Sequence, residues 1–158
     1  IAVRPVRGNV QTRLQKLDSG EYGALVLAAA GLHRLGLQER ITRYFSPDEL
    51  LPAAGQGILA VQGRAGELEG AARLLDDADA RVCALAERAF IRTLGGGCFA
   101  PVAAYAEAEG AYLHLHGLYV TADERTVVRG AVTGRREQAA SLGRSLALQL
   151  RTQAEGAL

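Results

Sequence analysis

The feature that most constrains the fold is a change of hydrophobic period at Pro101. Beyond it, three segments alternate apolar and polar residues and are separated by turn-forming residues: 102–107, 111–121 and 126–133. Strict alternation places the apolar side chains on one face of a strand, and short polar turns join such strands into hairpins. The sequence therefore predicts a three-stranded antiparallel sheet with one buried and one solvated face.

Two helical patterns flank this sheet and can cover its buried face. The first runs from Asp79, the predicted N-cap, to Leu94, and the second occupies about residues 136–153. The second pattern repeats apolar residues along one stripe: Ala139, Leu142, Leu146 and Leu150. A stripe of this kind is typical of a helix that packs on a core. Residues 77–158 are therefore predicted to form a small α+β domain.

The preceding residues follow an α/β pattern. A helix is predicted over Val10–Leu17. The short apolar runs Ala24–Ala29 and Ile58–Val61 are typical of strands buried on both faces of a parallel sheet. Further helices are predicted from Leu32 to Leu37 and from Glu67 to Leu75. Strand, turn and helix in this order favour an α/β unit.

Composition disfavours several classes of function. The 158 residues carry a formal net charge of +1, which gives no general attraction to nucleic acid or to a membrane surface. No apolar run approaches the roughly 20 residues of a membrane span, and the first residues show no signal-peptide pattern. Cys83 and Cys98 form neither a disulfide framework nor the paired spacing of a zinc site. We therefore expect a cytoplasmic protein without a metal.

The first candidate site is Arg7-Gly8-Asn9 together with Arg13, at the start of the first predicted helix. Asn9 can cap this helix. Free backbone N–H groups at a helix N-terminus and nearby guanidinium groups bind carboxylates and phosphates. The residues alone leave two interpretations open, which are solvated surface arginines and an anion site.

The second candidate site follows the predicted strand Ala24–Ala29. In open α/β sheets, ligands bind beyond the carboxyl ends of the strands, and Ala28, Gly31 and Arg34 lie there. Gly31 would let a ligand approach the backbone, and Arg34 could reach an acidic group. His33, in the same segment, is interpreted as a surface or capping histidine rather than a catalyst.

The third candidate site is the glycine-rich segment Gly95–Pro101, which contains Cys98. A cysteine that follows three glycines is predicted to lie on an irregular, accessible loop. These residues alone leave a reactive thiol and an incidental loop cysteine equally open. Cys83 lies inside a predicted helix and is interpreted as core packing.

The segments together resemble one known family. Residues 7–22 are similar to the motif RGNVxTRLxKLDxGEYDA of the hydroxymethylbilane synthase (porphobilinogen deaminase) family, and residues 27–37 continue the match. Residues 51–57 resemble its LPAxGQG loop, and residues 86–101 resemble its AERAF and GGCxxP region. The matches occur in the family's order and spacing. Departures occur at four places: Gly23, Gly63, Gly95 and Phe99-Ala100.

The resemblance implies a domain organisation. Residues 1–57 would be the C-terminal part of the family's second α/β domain, which is similar to a periplasmic binding protein. Residues 58–76 would cross back to the first domain, and residues 77–158 would form the C-terminal α+β domain that carries the cofactor cysteine. The family's proton-handling aspartate lies in the N-terminal domain, which this chain lacks. No catalytic residue is therefore assigned here, and the chain is expected to be inactive alone.

The resemblance also implies a transferase reaction of tetrapyrrole (haem) biosynthesis. Cys98 would carry a dipyrromethane cofactor through a thioether, and four porphobilinogen molecules would condense onto this primer, with loss of ammonia, to give hydroxymethylbilane. The implied partners are porphobilinogen, the growing polypyrrole and the enzyme's N-terminal half as a complementing polypeptide. The other residues implied to contact the cofactor are Arg7, Arg13 and Gly57. Those implied to contact the substrate are Arg34, Ala28, Gly31 and Gln56.

A competing interpretation is a non-catalytic anion-binding module of the periplasmic-binding-protein type. Arginines at a helix start suit such a module equally well. Cys98 distinguishes the two, because a solute-binding domain has no use for an exposed thiol. A third interpretation, a thiol-redox protein that uses Cys83 and Cys98, is disfavoured because the chain has no CxxC motif.

Overall fold

The computed structural model describes residues 1–67, 69–95, 101–121 and 123–156. The chain divides into two compact units, residues 1–44 and residues 45–158. The first unit contains helices α1 (Val10–Asp18) and α2 (Ala29–Arg34) and a 3-10 turn at Gln38–Arg40. The second contains helices α3 (Glu69–Leu75), α4 (Ala78–Thr93) and α5 (Ala139–Glu155), strands β1 (Val102–Glu109), β2 (Tyr112–Val120) and β3 (Val127–Arg135), and a 3-10 turn at Arg136–Gln138.

Local signals define the first helix of the first unit. The side chain of Asn9 accepts hydrogen bonds from the Thr12 backbone N–H at 2.8 Å and from the Thr12 hydroxyl at 2.9 Å, as expected for an N-cap. The helix ends before Gly20, which has the left-handed φ of 79° that glycine adopts without strain. The buried apolar side chains of this unit are Leu14 and Leu32.

The prediction of a buried strand at Ala24–Ala29 is wrong for this chain. Residues 24–28 form no sheet ladder, Val26 is 67% exposed, and helix α2 begins at Ala29 rather than Leu32. An apolar run indicates that the segment tends to be buried. A strand also needs a neighbouring strand that pairs with its backbone groups. Alanine is the strongest helix former, so the run Ala28–Ala30 favours a helix start once no ladder is available.

The predicted three-stranded sheet of the second unit is confirmed. Its order is β1-β2-β3 and both pairings are antiparallel, with Ala106 opposite Leu115 and Leu115 opposite Val132. Gly110, with φ 56°, lies in the turn between β1 and β2. One face is buried and carries Ala104, Ala106, Leu113, Leu115 and Val128.

Helices α4 and α5 pack together over the buried face of the sheet. The fully buried large side chains of this core are Phe90, Leu113, Leu115, Leu146 and Leu150. The two helices cross closely at Gly143, where a Cβ atom would lie 2.2 Å from the carbonyl oxygen of Ala86. The predicted stripe on the last helix is confirmed, because three of its members are buried and Leu142 packs against the core.

Two expectations about the second unit are wrong in detail. Helix α4 is capped by Asp77, whose side chain accepts from the N–H groups of Asp79 and Ala80, so the predicted cap Asp79 lies inside the helix. Residues 58–61 form no strand, and Leu59 and Val61 are 77% and 66% exposed. The apolar run again lacks a partner strand among the described residues.

None of the helices in the described ranges is long and apolar enough to cross a membrane.

Candidate functional site

The first candidate site is organised by the start of helix α1. The Nε atom of Arg13 donates to the carbonyl oxygen of Gly8 at 2.8 Å, which folds the arginine back over the segment before the helix. Gly8 has φ 122°, and a Cβ atom there would lie 2.8 Å from Thr12 Cγ2. This conformation therefore requires glycine. Arg7, immediately before it, is exposed.

The second candidate site adjoins the first. A Cβ atom on Gly31 would lie 3.5 Å from Cγ2 of Val10, the first residue of α1. The starts of α1 and α2 therefore lie side by side within the first unit. Ala28 precedes α2 with extended backbone angles and has no side chain that could cap it. Two adjacent helix starts concentrate free N–H donors and partial positive charge, which favours a bound carboxylate or phosphate.

Arg34 and His33 lie at the opposite end of α2. The two residues, with Ala29, Ala30 and Tyr44, line an open concavity on the first unit. Nε2 of His33 is 2.8 Å from the hydroxyl oxygen of Tyr44, and the two rings meet edge to face at 5.9 Å. His33 is therefore held by Tyr44, while the exposed guanidinium of Arg34 can reach an acidic ligand.

The Gly55-Gln56-Gly57 segment of the second unit is a tight turn. Gly55 and Gly57 have φ of 77° and 85°, and the N–H of Gln56 donates to the carbonyl oxygen of Ala53 at 3.0 Å. The N–H of Ile58 closes the turn on Gly55 at 3.1 Å. The side chain of Gln56 is exposed, so the turn presents an amide group to solvent.

Glu87, on α4, ties this turn to the core. Its Oε2 atom accepts from the N–H of Gly55 at 2.6 Å, and its Oε1 atom accepts from the N–H of Ala106 at 2.9 Å. The residue is only 3% exposed. Burial raises the pKa of Glu87 by more than the two backbone donors lower it.

The structure describes one of the two cysteines, Cys83. Cys83 is a free, buried thiol inside the core, which confirms its interpretation as core packing. Burial raises the pKa of Cys83, and the negative charge of Glu87 raises it further. This thiol is therefore a poor nucleophile. Helix α4 ends at Thr93, and Cys98 lies outside the described residues.

The structure thus brings some predicted residues together. Arg13, Ala28 and Gly31 are neighbours because the starts of α1 and α2 are adjacent. Gln56 and Gly57 share one turn of the second unit. Sequence reasoning gave Glu87 no role, although its position on the same helical face as Cys83 and Phe90 signalled burial. In the described part of the chain, no cluster of three or more His, Cys, Asp or Glu side chains could hold a metal ion.

Two family models match the chain, one after the other. Residues 1–71 match the model described as "Porphobilinogen deaminase, dipyromethane cofactor binding domain". Residues 81–152 match the model described as "Porphobilinogen deaminase, C-terminal domain". Together the two matches cover most of the sequence in a single order.

Curated relatives point to the same family. The porphobilinogen deaminase of Ruminiclostridium josui is 50% identical over 148 residues, which are 94% of this chain and 51% of the relative. That of Alkaliphilus oremlandii is 49% identical over 154 residues, or 98% of this chain and 52% of the relative. That of Chromobacterium violaceum is 47% identical over 152 residues, or 95% and 49%. The chain spans about half the length of the curated relatives it matches.

Proposed function

This chain belongs to the porphobilinogen deaminase family, and from that membership we propose that it is the C-terminal half of a hydroxymethylbilane synthase. The proposed enzyme condenses four porphobilinogen molecules, with release of ammonia, into hydroxymethylbilane for tetrapyrrole biosynthesis. The observation that carries the proposal is the pair of adjacent helix starts, where Gly31 in the first turn of α2 lies against Val10 of α1 and Arg13 is held beside them. This arrangement suits ligands that carry several carboxylates.

The residues of the first unit fit a dipyrromethane cofactor by charge. Each pyrrole bears an acetate and a propionate, and the start of α1 offers N–H donors near Arg13, while Arg7 is exposed two residues before the Asn9 cap. When bound, the cofactor supplies the primer onto which porphobilinogen units are added. We propose that Arg7, Arg13 and Gly57 contact this cofactor. We also propose that Cys98 holds it through a thioether, which resists cleavage better than an ester.

Substrate contacts are proposed for four residues. Arg34 is exposed beside the concavity on the first unit and can bind a carboxylate. A Cβ atom on Gly31 would make only ordinary contact at 3.5 Å, so packing within the described chain does not require glycine there. We infer that the backbone at Gly31 and Ala28 is kept open for a ligand. Gln56, on its exposed turn, is proposed to donate to the same substrate.

The N-terminal half of the enzyme is proposed as the partner of this chain. Its support is a set of exposed apolar side chains in and after residues 58–61, namely Leu59, Val61, Leu74 and Leu75. Exposed apolar side chains in such number favour a covering surface. We propose residues 58–76 as the segment that joins the enzyme's first domain. Residues 1–57 then belong to a periplasmic-binding-protein-like α/β domain, and residues 77–158 form the C-terminal domain. Proton transfer is assigned to the partner half.

The test uses the assembled enzyme, meaning this chain together with the N-terminal half. Hydroxymethylbilane formation and cofactor content are measured for wild type, Arg7→Lys and Arg13→Lys, with Arg144→Lys on the exposed side of α5 as the matched control. Lysine keeps the charge but loses the planar fork. Loss of one charge-assisted hydrogen bond costs roughly 1.5–3 kcal/mol, or about one to two decades in the affected step. Wild-type behaviour of both variants would contradict the assigned roles, and no hydroxymethylbilane from the wild type would contradict the function.

A further inference from the structure

Glu87 connects three segments of the second unit through one carboxylate. It lies on α4, its Oε1 atom accepts from Ala106 in β1, and its Oε2 atom accepts from Gly55 in the tight turn. The side chain is 3% exposed; its hydrogen bond to Ala106 is buried and its hydrogen bond to Gly55 is partly buried. A buried carboxylate with both oxygens engaged is a strong structural link.

The open edge of β1 explains the hydrogen bond from Ala106 to Glu87 but not the one from Gly55. Among the described residues β1 pairs with β2 alone, so its outer N–H groups need acceptors from elsewhere. One of these acceptors is Oε1 of Glu87 on α4, which accepts from the N–H of Ala106 at 2.9 Å. A single acceptor oxygen is therefore sufficient at this position of the edge. The second oxygen of Glu87 is used for the turn.

Without Glu87, the packing of Ala54 against the core would be the attachment of the turn at this point. Its own hydrogen bonds, from Gln56 to Ala53 and from Ile58 to Gly55, close the turn on itself. The bond from Gly55 to Glu87 attaches it to α4. The same helix ends at Thr93, shortly before the segment that contains Cys98. Glu87 therefore fixes the turn to the helix that precedes Cys98, the proposed cofactor cysteine, in the sequence.

We propose that Glu87 is a positioning residue for the Gly55-Gln56-Gly57 turn, which it holds in place so that Gln56 and Gly57 can contact substrate and cofactor. This inference rests on the proposed function, since Gln56 and Gly57 are assigned their ligands there. A site that is held by rigid elements keeps its geometry. Loosening a residue that only contacts the ligand is expected to raise KM more than it lowers kcat.

Two substitutions separate this role from a general requirement for negative charge. Glutamine has a single acceptor oxygen, and its amide group would place a donor against one of the two backbone N–H groups. Glu87→Gln therefore cannot hold Gly55 and Ala106 together. Glu87→Asp keeps the charge but is one methylene shorter, so it cannot span both partners. Both variants are expected to release the turn.

The experiment compares the assembled wild-type enzyme with Glu87→Gln, Glu87→Asp and Cys83→Ala. Hydrogen exchange of peptides that cover residues 53–58 should become faster by about tenfold or more in both Glu87 variants, because a buried hydrogen bond is lost. The KM for porphobilinogen should rise in the same variants with a smaller change in kcat, and intact mass should show the cofactor still attached. Cys83→Ala changes a buried side chain one turn earlier on the same helix without touching the turn, so exchange at residues 53–58 should stay at the wild-type rate.

The outcomes separate the inference from the proposed function. Unchanged exchange at residues 53–58 in Glu87→Gln would overturn the positioning role, and so would faster exchange with an unchanged KM. Wild-type behaviour of Glu87→Asp would show that charge alone is needed, which also overturns it. A wild-type assembly that forms no hydroxymethylbilane would refute the proposed function, while the exchange rates would still decide whether Glu87 anchors the turn.

Discussion

Replacing Gly143 with alanine should destabilise the second unit strongly, even though alanine is the better helix former. The added Cβ would lie 2.2 Å from the carbonyl oxygen of Ala86, 2.9 Å from the backbone nitrogen of Phe90 and 3.0 Å from Cβ of Ala89. The nearest two atoms belong to the backbone of α4 and cannot rotate away. The helices must therefore separate by about 1 Å to restore ordinary contact distances.

The magnitude follows from two opposing effects. Overpacking a well-packed core typically costs about 1–3 kcal/mol, and the upper end applies because helix backbone opposes helix backbone. Replacing glycine by alanine inside a helix returns about 1 kcal/mol. The net loss in the free energy of unfolding should thus be about 2 kcal/mol. Gly70 is the matched control, because a Cβ atom there meets nothing within 4 Å, so Gly70→Ala in α3 should be neutral or stabilising.

Denaturant unfolding of the assembled enzyme, followed by circular dichroism, measures both variants. Gly143→Ala should lower the midpoint at an unchanged slope, and Gly70→Ala should leave the midpoint equal or higher. A Gly143→Ala protein as stable as the wild type would refute the argument that α4 and α5 cross at backbone contact. Equal losses in the two variants would refute the argument that local packing, rather than the substitution itself, sets the cost.

Two further predictions concern Glu87 and Gly8. Burial raises the pKa of Glu87 above its ordinary 4.5, so the folded chain keeps the carboxyl proton to a higher pH than the unfolded chain does. In thermal melts, the wild type should therefore lose stability relative to Glu87→Gln as the pH rises from 4.5 through that raised pKa. A stability difference that does not change with pH would contradict this. The facing groups Cys83 and Tyr105, whose pKa values are raised, stay neutral in that range. Gly8→Ala should cost about 1–3 kcal/mol and, by displacing Arg13, lower the fraction of enzyme that becomes loaded with cofactor, whereas Gly20→Ala, which has a positive φ but no clash, should affect stability alone. An equal loaded fraction, measured by intact mass, would contradict the role of Gly8.

The sheet and its covering helices could be predicted because their signals are local. Alternation after Pro101 fixes which face of each strand is buried, and the apolar stripe from Ala139 to Leu150 fixes the packed face of α5. The cap at Asn9 is likewise a short-range hydrogen bond. The N-cap of α4 lies at Asp77, two residues before the predicted Asp79, because the two aspartates are chemically identical candidates and helix boundaries vary by such a margin.

The two strand predictions are wrong because strand pairing depends on residues that are distant in the sequence. The residues at 24–29 and 58–61 are apolar enough for a buried strand, but pairing depends on a neighbour that local sequence does not specify. The described part of the chain offers no such neighbour at either place.

The residues of the candidate site could be predicted from the sequence, but the contacts between them could not. Arg7, Arg13, Gly31 and Gln56 were singled out from motifs, whereas the contact between the starts of α1 and α2 depends on tertiary packing. Glu87 was missed because a glutamate is ordinarily expected at the surface. Its helical spacing from Cys83 and Phe90, which are both in the buried core, is the available signal.

Peptide mass spectrometry of the active assembled enzyme tests the central claim most directly. The account predicts a dipyrromethane adduct on the peptide that contains Cys98 and an unmodified thiol at Cys83, which lies buried in the core. Cys98→Ser should lose the stable adduct, while Cys83→Ala should retain it. Fully active enzyme with an unmodified Cys98, or with the adduct on Cys83, would contradict the account.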